Sequence, residues 1–439
     1  MKICVIPIDN RPVCYSLLKD IADIDSDIEL LIPERKLLGD LNKTAQTDKL
    51  FEWLKSINDV DSIILSLDTL AYGGLIPSRR CPESFEQIKQ RVENLKEILK
   101  EKNAKIYAFS SVMRISNNNI NQEEKEYWKD YGTKIFKYSF DTHKFGNAKT
   151  DVPQKILDDY LNTRKRNFEI NKLYLEWQKE GLFDTLIFSK DDCAEFGFNV
   201  QEAQELEQLG GFTKTGADEI PLTLFARAIQ GEMSVDIEFT EPDYKNLISN
   251  YEDVSIEKSV LGQLSLANIR VTDKNTSDLT LIVNNFKENQ GEIVMKKSTE
   301  PFSGKFDFPD KKIMIADVRF ANGADNAFVE QFINLKYTEN FYGYSAWNTS
   351  ANTLGSLICA AKVKFLAKKY NEMAFKKLQA IRLLDDWAYQ ANVRQSLSKI
   401  EKPNMKNFEQ RVEKFLNYKF NAEYSYPWNR LFEIEVNIK

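Results

Sequence analysis

Short apolar runs rich in β-branched residues alternate with helix-length stretches along this chain, and that alternation constrains its fold most. Runs at 3–8, 28–32, 62–67, 105–109, 185–188, 235–239, 279–283, 312–316 and 342–346 read as strands. In the segment 83–102, Phe85, Ile88, Val92, Leu95 and Ile98 recur every three or four residues and form one apolar stripe. A second helix is expected over 151–179, with Asp151 as N-cap and Pro153 in the first turn. Strands separated by whole helices imply βα units and a mostly parallel sheet. The predicted class is therefore α/β. A (β/α)8-barrel-like sheet is preferred over two doubly wound lobes split near 211–216, because polar segments follow nearly every strand.

Three stretches divide the chain. Residues 1–215 hold the N-terminal βα units with most of the candidate site loops. Residues 216–362 complete the barrel or form a second lobe. Residues 363–439 read as a mostly helical appendage, with helices over 374–400 and 407–420 and a closing strand near 431–436; it covers the sheet or makes a subunit contact in a homo-oligomer.

Composition narrows the chemistry. The 439 residues include one histidine, His143, and five cysteines, with a net charge of −6. One histidine excludes a two-His zinc site and, unless His143 itself serves, Ser-His-Asp and Cys-His mechanisms. His143 stands in 140–145, which reads as a loop without a partner motif, and is expected to be solvated or structural. The cysteines are odd in number, dispersed and free of any C-x-x-C, which predicts reduced thiols in a cytoplasmic protein. The first apolar run is too short for a signal peptide, and no run approaches the ~18 residues of a membrane span. Mild acidity and dispersed lysines argue against nucleic acid.

The unusual residues follow the strands. They are Asp9-Asn10-Arg11, Asp68 with Tyr72 and Arg79, Arg114 with Asn118, Asp191-Asp192, Asp317, and Trp347-Asn348 with Asn352. Carboxyl ends of parallel strands are where ligand sites form, so these segments predict one shared pocket. The alternative at each position is ordinary helix capping. Gly73-Gly74 fits neither dinucleotide nor phosphate-loop spacing. Asp191 and Asp192 are the predicted catalytic pair. Adjacent carboxyls ending a buried strand cannot both ionise cheaply, so one is expected to hold a proton near neutrality. Cys193, among anions, is a poor nucleophile. Trp347 offers a flat apolar face, and Asn348 and Asn352 offer donors and acceptors to hydroxyls; a buried Trp and a Thr349 or Ser350 cap is the plainer reading. No cofactor is expected, although Asp9, Asp68, Asp317 and Asp325 are the oxygen donors that Mg²⁺ or Ca²⁺ would take.

The ordered set Asp9-Asn10-Arg11-Pro12, Leu67-Asp68-Thr69-Leu70-Ala71-Tyr72-Gly73-Gly74-Leu75, Asp191-Asp192-Cys193-Ala194, Gly216-Ala217-Asp218-Glu219 and Trp347-Asn348-Thr349 resembles the bacterial domain-of-unknown-function family 4127. The resemblance runs from about Ile6 to Leu354 and implies no activity. From the residues, the leading expectation is a glycoside hydrolase or related carbohydrate-active enzyme. It would act on a small, N-acetylated or phosphorylated sugar, with Asp192 as proton donor and Asp191 orienting or stabilising. Asp9, Asn10, Arg11, Asp68, Tyr72, Arg79, Arg114, Asn118, Asp317, Trp347, Asn348 and Asn352 would bind the substrate. The alternatives are a metal-dependent hydrolase or isomerase of a small anionic metabolite, clamped by Arg11 and Arg79, and a non-catalytic sugar-binding protein.

Overall fold

A computed structural model describes residues 1–191, 193–308 and 310–439. All nine expected strands form, and they divide between two sheets. The first runs through β1 (Lys2–Ile6), β2 (Glu29–Leu31), β3 (Ser62–Ser66), β4 (Lys105–Val112), β5 (Thr185–Lys190) and β6 (Thr213–Thr215). The second holds β7 (Ser234–Phe239), β8 (Arg270–Val271), β9 (Leu279–Asn284), β11 (Ile313–Asp317) and β13 (Phe341–Ser345); β10 (Gly291–Glu292) and β12 (Phe320–Ala321) pair separately. Every pairing in both large sheets is parallel. Parallel strands carry helices on both faces, which is why their sequences are continuously apolar: every residue of β3, β9, β11 and β13 is buried.

The strand order is β2-β1-β3-β4-β5-β6 in the first sheet and β13-β11-β9-β7-β8 in the second. Numbered within its own sheet, each follows the doubly wound order 2-1-3-4-5, with β6 as an extra edge strand in the first. The expected barrel is corrected accordingly. Closure would need the outer strands of one sheet to pair, whereas these sheets are open, ending on the short strands β2 and β6 and on β8 and β13. Spacing could not decide this, because βα units repeat identically round a barrel and along an open sheet. By internal contacts the chain forms two compact units, Met1–Tyr15 with Glu29–Pro221 and Tyr251–Asp253, and Ser16–Ile28 with Leu222–Asn250 and Val254–Lys439.

Local signals act as the sequence suggests, with exceptions. The apolar stripe forms the helix Phe85–Lys100, opened by a Ser84–Gln87 capping box. The next expected helix is Gln154–Lys179, but Pro153 is its N-cap; Asp151 instead pairs with Lys134 at 2.5 Å. His143 lies in the last turn of the helix Trp128–Phe145, not in a loop, and its Nδ1 accepts from the Gly197 amide at 3.0 Å. The C-terminal helix Glu372–Arg382 continues as a π-helix over Leu383–Val393. The closing strand is β15 (Glu435–Ile438), antiparallel to β14 (Ala422–Ser425).

One contact fixes the two loops that flank the first sheet's switch point, between β1 and β3. The buried Thr69 hydroxyl lies 2.9 and 2.8 Å from the carbonyl oxygens of Pro7 and Ile8, and 2.9 Å from Ser66 Oγ. Thr69→Val keeps the shape and removes the donor, so we expect a loss of about 1–3 kcal/mol of stability, read from urea unfolding.

Candidate active site

The carboxyl edge of the first sheet gathers charged side chains from five strand ends. After β1, the Asp9 carboxylate accepts the Arg11 amide at 2.9 Å and Arg11 Nε at 2.8 Å. The same guanidinium reaches Asp218, after β6, with Nη1 at 2.9 Å and Nη2 at 2.5 Å. Asp218 owes its place to a turn only glycine can make. Gly216 has φ +107°, and a Cβ there would sit 1.8 Å from Glu219 Oε1, whose carboxylate accepts the Ala217 amide.

A second group of ion pairs stands beside the first. Arg79, in the short helix Leu75–Arg80, approaches Asp191 Oδ2 at 3.1 Å and Glu124 at 3.4 Å. Arg114, after β4, reaches the same Asp191 oxygen at 3.3 Å, Glu124 at 3.1 Å and Glu123 at 2.9 Å. Asp68, after β3, accepts the Ser111 amide at 2.8 Å. Lys190 is committed to Asp253 at 2.5 Å.

Carboxyl groups outnumber guanidinium groups here: Asp9, Asp68, Asp191, Asp218, Glu123 and Glu124 face Arg11, Arg79 and Arg114. Burial with surplus negative charge favours protonation. Asp218 is pushed up to about 6, first by burial and then by Asp9 and Asp191, against the pull of Arg11. Burial alone lifts Asp68 to about 6, opposed by its Ser111 bond and by Arg79. Burial, with Asp9 and Asp218, pushes the Cys14 thiol well up.

Asp9, Cys14 and Asp218 bring three possible metal donors within 4.8 Å of one another. Arg11 already spans both carboxylates, so a guanidinium fills the position a divalent cation would need. It is equally poorly placed to clamp an anionic substrate, and Arg79, 1% exposed, is held by Asp191 and Glu124.

The structure therefore brings together Asp9, Arg11, Asp68, Arg79, Arg114 and Asp191 of the predicted residues. Asp192 lies outside the described residues. Asn10 accepts Arg35 Nε through its carbonyl, and Asn118 closes a local turn onto the Ile120 amide. Tyr72 lines a cavity beside the helix Leu75–Arg80. Asp317, Trp347, Asn348 and Asn352 belong to the other compact unit. There Asp317 is fully buried and pushed up to about 7, by burial and then by Asp325; it accepts Asn284 Nδ2, the Asp325 amide and the Tyr344 hydroxyl. Trp347 is 4% exposed and leaves no ring face open for stacking, while Thr349 caps the helix Ser350–Leu366. Asn348 takes a left-handed φ of 57°, and its side chain accepts from Asn352.

Asp218, Glu123 and Glu124 are the functional candidates the sequence reading passed over. The signal for Asp218 was Gly216 itself, in a chain with few glycines, but the three-residue β6 before it was too short to read. The five cysteines are buried and free, as expected, and no helix among the described residues is long and apolar enough to cross a membrane.

Raised carboxyls make stability depend on pH. Asp68 and Asp218 hold their protons to about pH 6 when folded and only to about 4 when unfolded. The folded state binds more protons in that window, so stability falls as pH rises from about 4 to 6, at up to about 1.4 kcal/mol per pH unit for each group. Asp317 extends the decline towards 7. Urea midpoints should drop across this range, and Asp218→Asn should flatten the lower part of the profile.

A family model described as "Protein of unknown function (DUF4127)" matches residues 3–437. No curated protein and no solved structure matches the chain.

Proposed function

Because the chain belongs to the DUF4127 family, whose description assigns no activity, we propose its function from the geometry of the first sheet: a carbohydrate-active hydrolase that cleaves a glycosidic bond by carboxyl acid/base catalysis. One observation carries this reading. Asp218, a buried carboxyl held protonated to about pH 6, lies electrostatically close to Asp191, which is paired with two guanidinium groups. Neighbouring carboxyls in such different environments divide into an acid and a base.

In this mechanism Asp218 gives its proton to the leaving oxygen as the bond from the anomeric carbon breaks. Water adds to that carbon, and Asp191 takes the water's proton. Asp218 thereby takes the donor role the sequence assigned to Asp192. The surplus of carboxyl groups repels anions, so the substrate is a neutral sugar, with an acetamido group admissible and a phosphate disfavoured. With Arg11 occupying the three-donor cluster, the metal-dependent alternative has no open coordination position there.

Leaving-group dependence tests the assignment. Nitrophenolate departs without protonation, whereas a sugar alcohol does not. Asp218→Asn should therefore lower turnover of an unactivated disaccharide about 10²–10⁴-fold and affect a nitrophenyl glycoside far less. Equal loss on both substrates, or no loss, removes Asp218 as the acid. EDTA should leave the wild-type rate unchanged, and stable binding of an intact oligosaccharide without turnover would instead favour the non-catalytic alternative.

A further inference from the structure

A cavity of about 340 Å³ opens in the first compact unit, between the segment 40–47 and the helix Leu75–Arg80. Its size falls in the range of small-molecule sites, about 300–1,000 Å³. Leu41, Ala45, Ile76, Pro77 and the ring of Tyr72 give it an apolar wall, and Lys43, Arg80 and Arg91 give it positive charge.

The two carboxylates in the lining are already committed. Asp40 accepts the amides of Asn42 and Lys43, each at 2.8 Å. Glu83 is held by Arg91 through both carboxylate oxygens and accepts from Cys81 at 3.2 Å. Among the described residues Arg80 has only carbonyl partners, those of Leu41, Asn121, Gln122 and Glu124. The carboxylates that act on it from a distance, Glu123, Glu124 and Glu126, are each paired with another cation.

A guanidinium carries five N–H donors. Arg80 uses four, and Arg91 uses three, on Ala71 and Glu83. Donors therefore remain on both, with no acceptor among the described residues. The Lys43 ammonium is exposed and likewise has no carboxylate partner among them. Tyr72 adds a buried hydroxyl without a hydrogen-bond partner. An apolar wall with unspent cationic donors, in a chain of net charge −6, is complementary to an amphipathic anion.

We infer that this cavity binds a small amphipathic monocarboxylate, its carboxylate held by Arg80, Arg91 and Lys43 and its apolar part against Tyr72 and Ile76. The inference does not depend on the glycosidase reading, since it uses other side chains and asks for the opposite charge.

Calorimetric titration of the full chain with acetate, isobutyrate, benzoate, benzamide and benzamidine tests it. Affinity should rise from acetate to benzoate, benzamide should bind at least about tenfold more weakly than benzoate, and benzamidine should not bind. Arg80 also ties four backbone carbonyls, so its removal risks the fold; exposed Lys43 and Thr44 make safer probes. Lys43→Glu should weaken benzoate severalfold and Thr44→Trp should block it, with melting temperatures near wild type. The inference fails if none of the three carboxylates binds, if benzamide matches benzoate, or if both variants bind benzoate as tightly as wild type.

Discussion

Arg11 is the side chain on which the first sheet's carboxyl edge depends. It joins the loop after β1 to the turn after β6, and three strands stand between these two in the sheet. At about 4.8 Å per strand that separation is roughly 19 Å, well beyond one arginine's reach, so both loops must lean inward across the ends of β3, β4 and β5. Burial gives the bridge little net stabilising value, but removing one partner would strand a charge at a cost of about 3–5 kcal/mol. Its consequence is positional. Asp9 and Asp218 are held together, and burial first, then the charges of Asp9 and Asp191, push Asp218 up to about 6.

The second sheet repeats the strand order but closes its carboxyl edge with its own side chains. Arg319 is fully buried and bonds Asn284, Glu241 and the Glu300 carbonyl, while Asp317 accepts three hydrogen bonds. From the π-helix, Asp386 accepts the Ala346 amide just after β13 and pairs with Arg382. A buried network of this kind fixes a structure and commits most of its groups to one another, with only Arg382 Nε and Asn352 Oδ1 of its neighbourhood left without a partner among the described residues. In the first sheet, Asp191 and Glu123 keep 22% and 24% of their side-chain surface exposed, so its edge is reachable as well as charged. Shared topology thus carries two different carboxyl edges, one accessible and one closed, and only the side chains distinguish them.

What the sequence disclosed follows from the same physics. Strands buried on both faces must be continuously apolar, and that makes most of the nine strands legible; the edge strand β2, only partly buried, is legible from the apolar residues around it. β6 and β8, of three and two residues, carry no periodicity and no apolar run to mark them. Pairing partners are set by tertiary contacts, which is why open sheets and a barrel looked alike. Strand-end polarity correctly drew attention to Asp9, Arg11, Asp68, Arg79, Arg114 and Asp191, yet it could not separate these from Asp317, whose equally polar strand end belongs to a filled network. Trp347 shows the same ambiguity. An indole beside asparagines suits a sugar, but burial, which decides between platform and core, is not written in residue type.

Arg79 and Arg80 show how finely the first unit separates charge. Consecutive residues on a helix diverge by about 100°, so one short helix can serve two surroundings. Arg79 points to Asp191 and Glu124, where carboxyl groups are in excess and its charge is consumed. Arg80 points to backbone carbonyls and to a cavity whose carboxylates are held by Arg91 and by the Asn42 and Lys43 amides, so it has no carboxylate partner among the described residues. In the sequence the two are simply adjacent arginines. The structure divides them into a guanidinium that neutralises a proton-holding site and one that leaves a neighbouring cavity electropositive, and ligands of opposite character would meet the two.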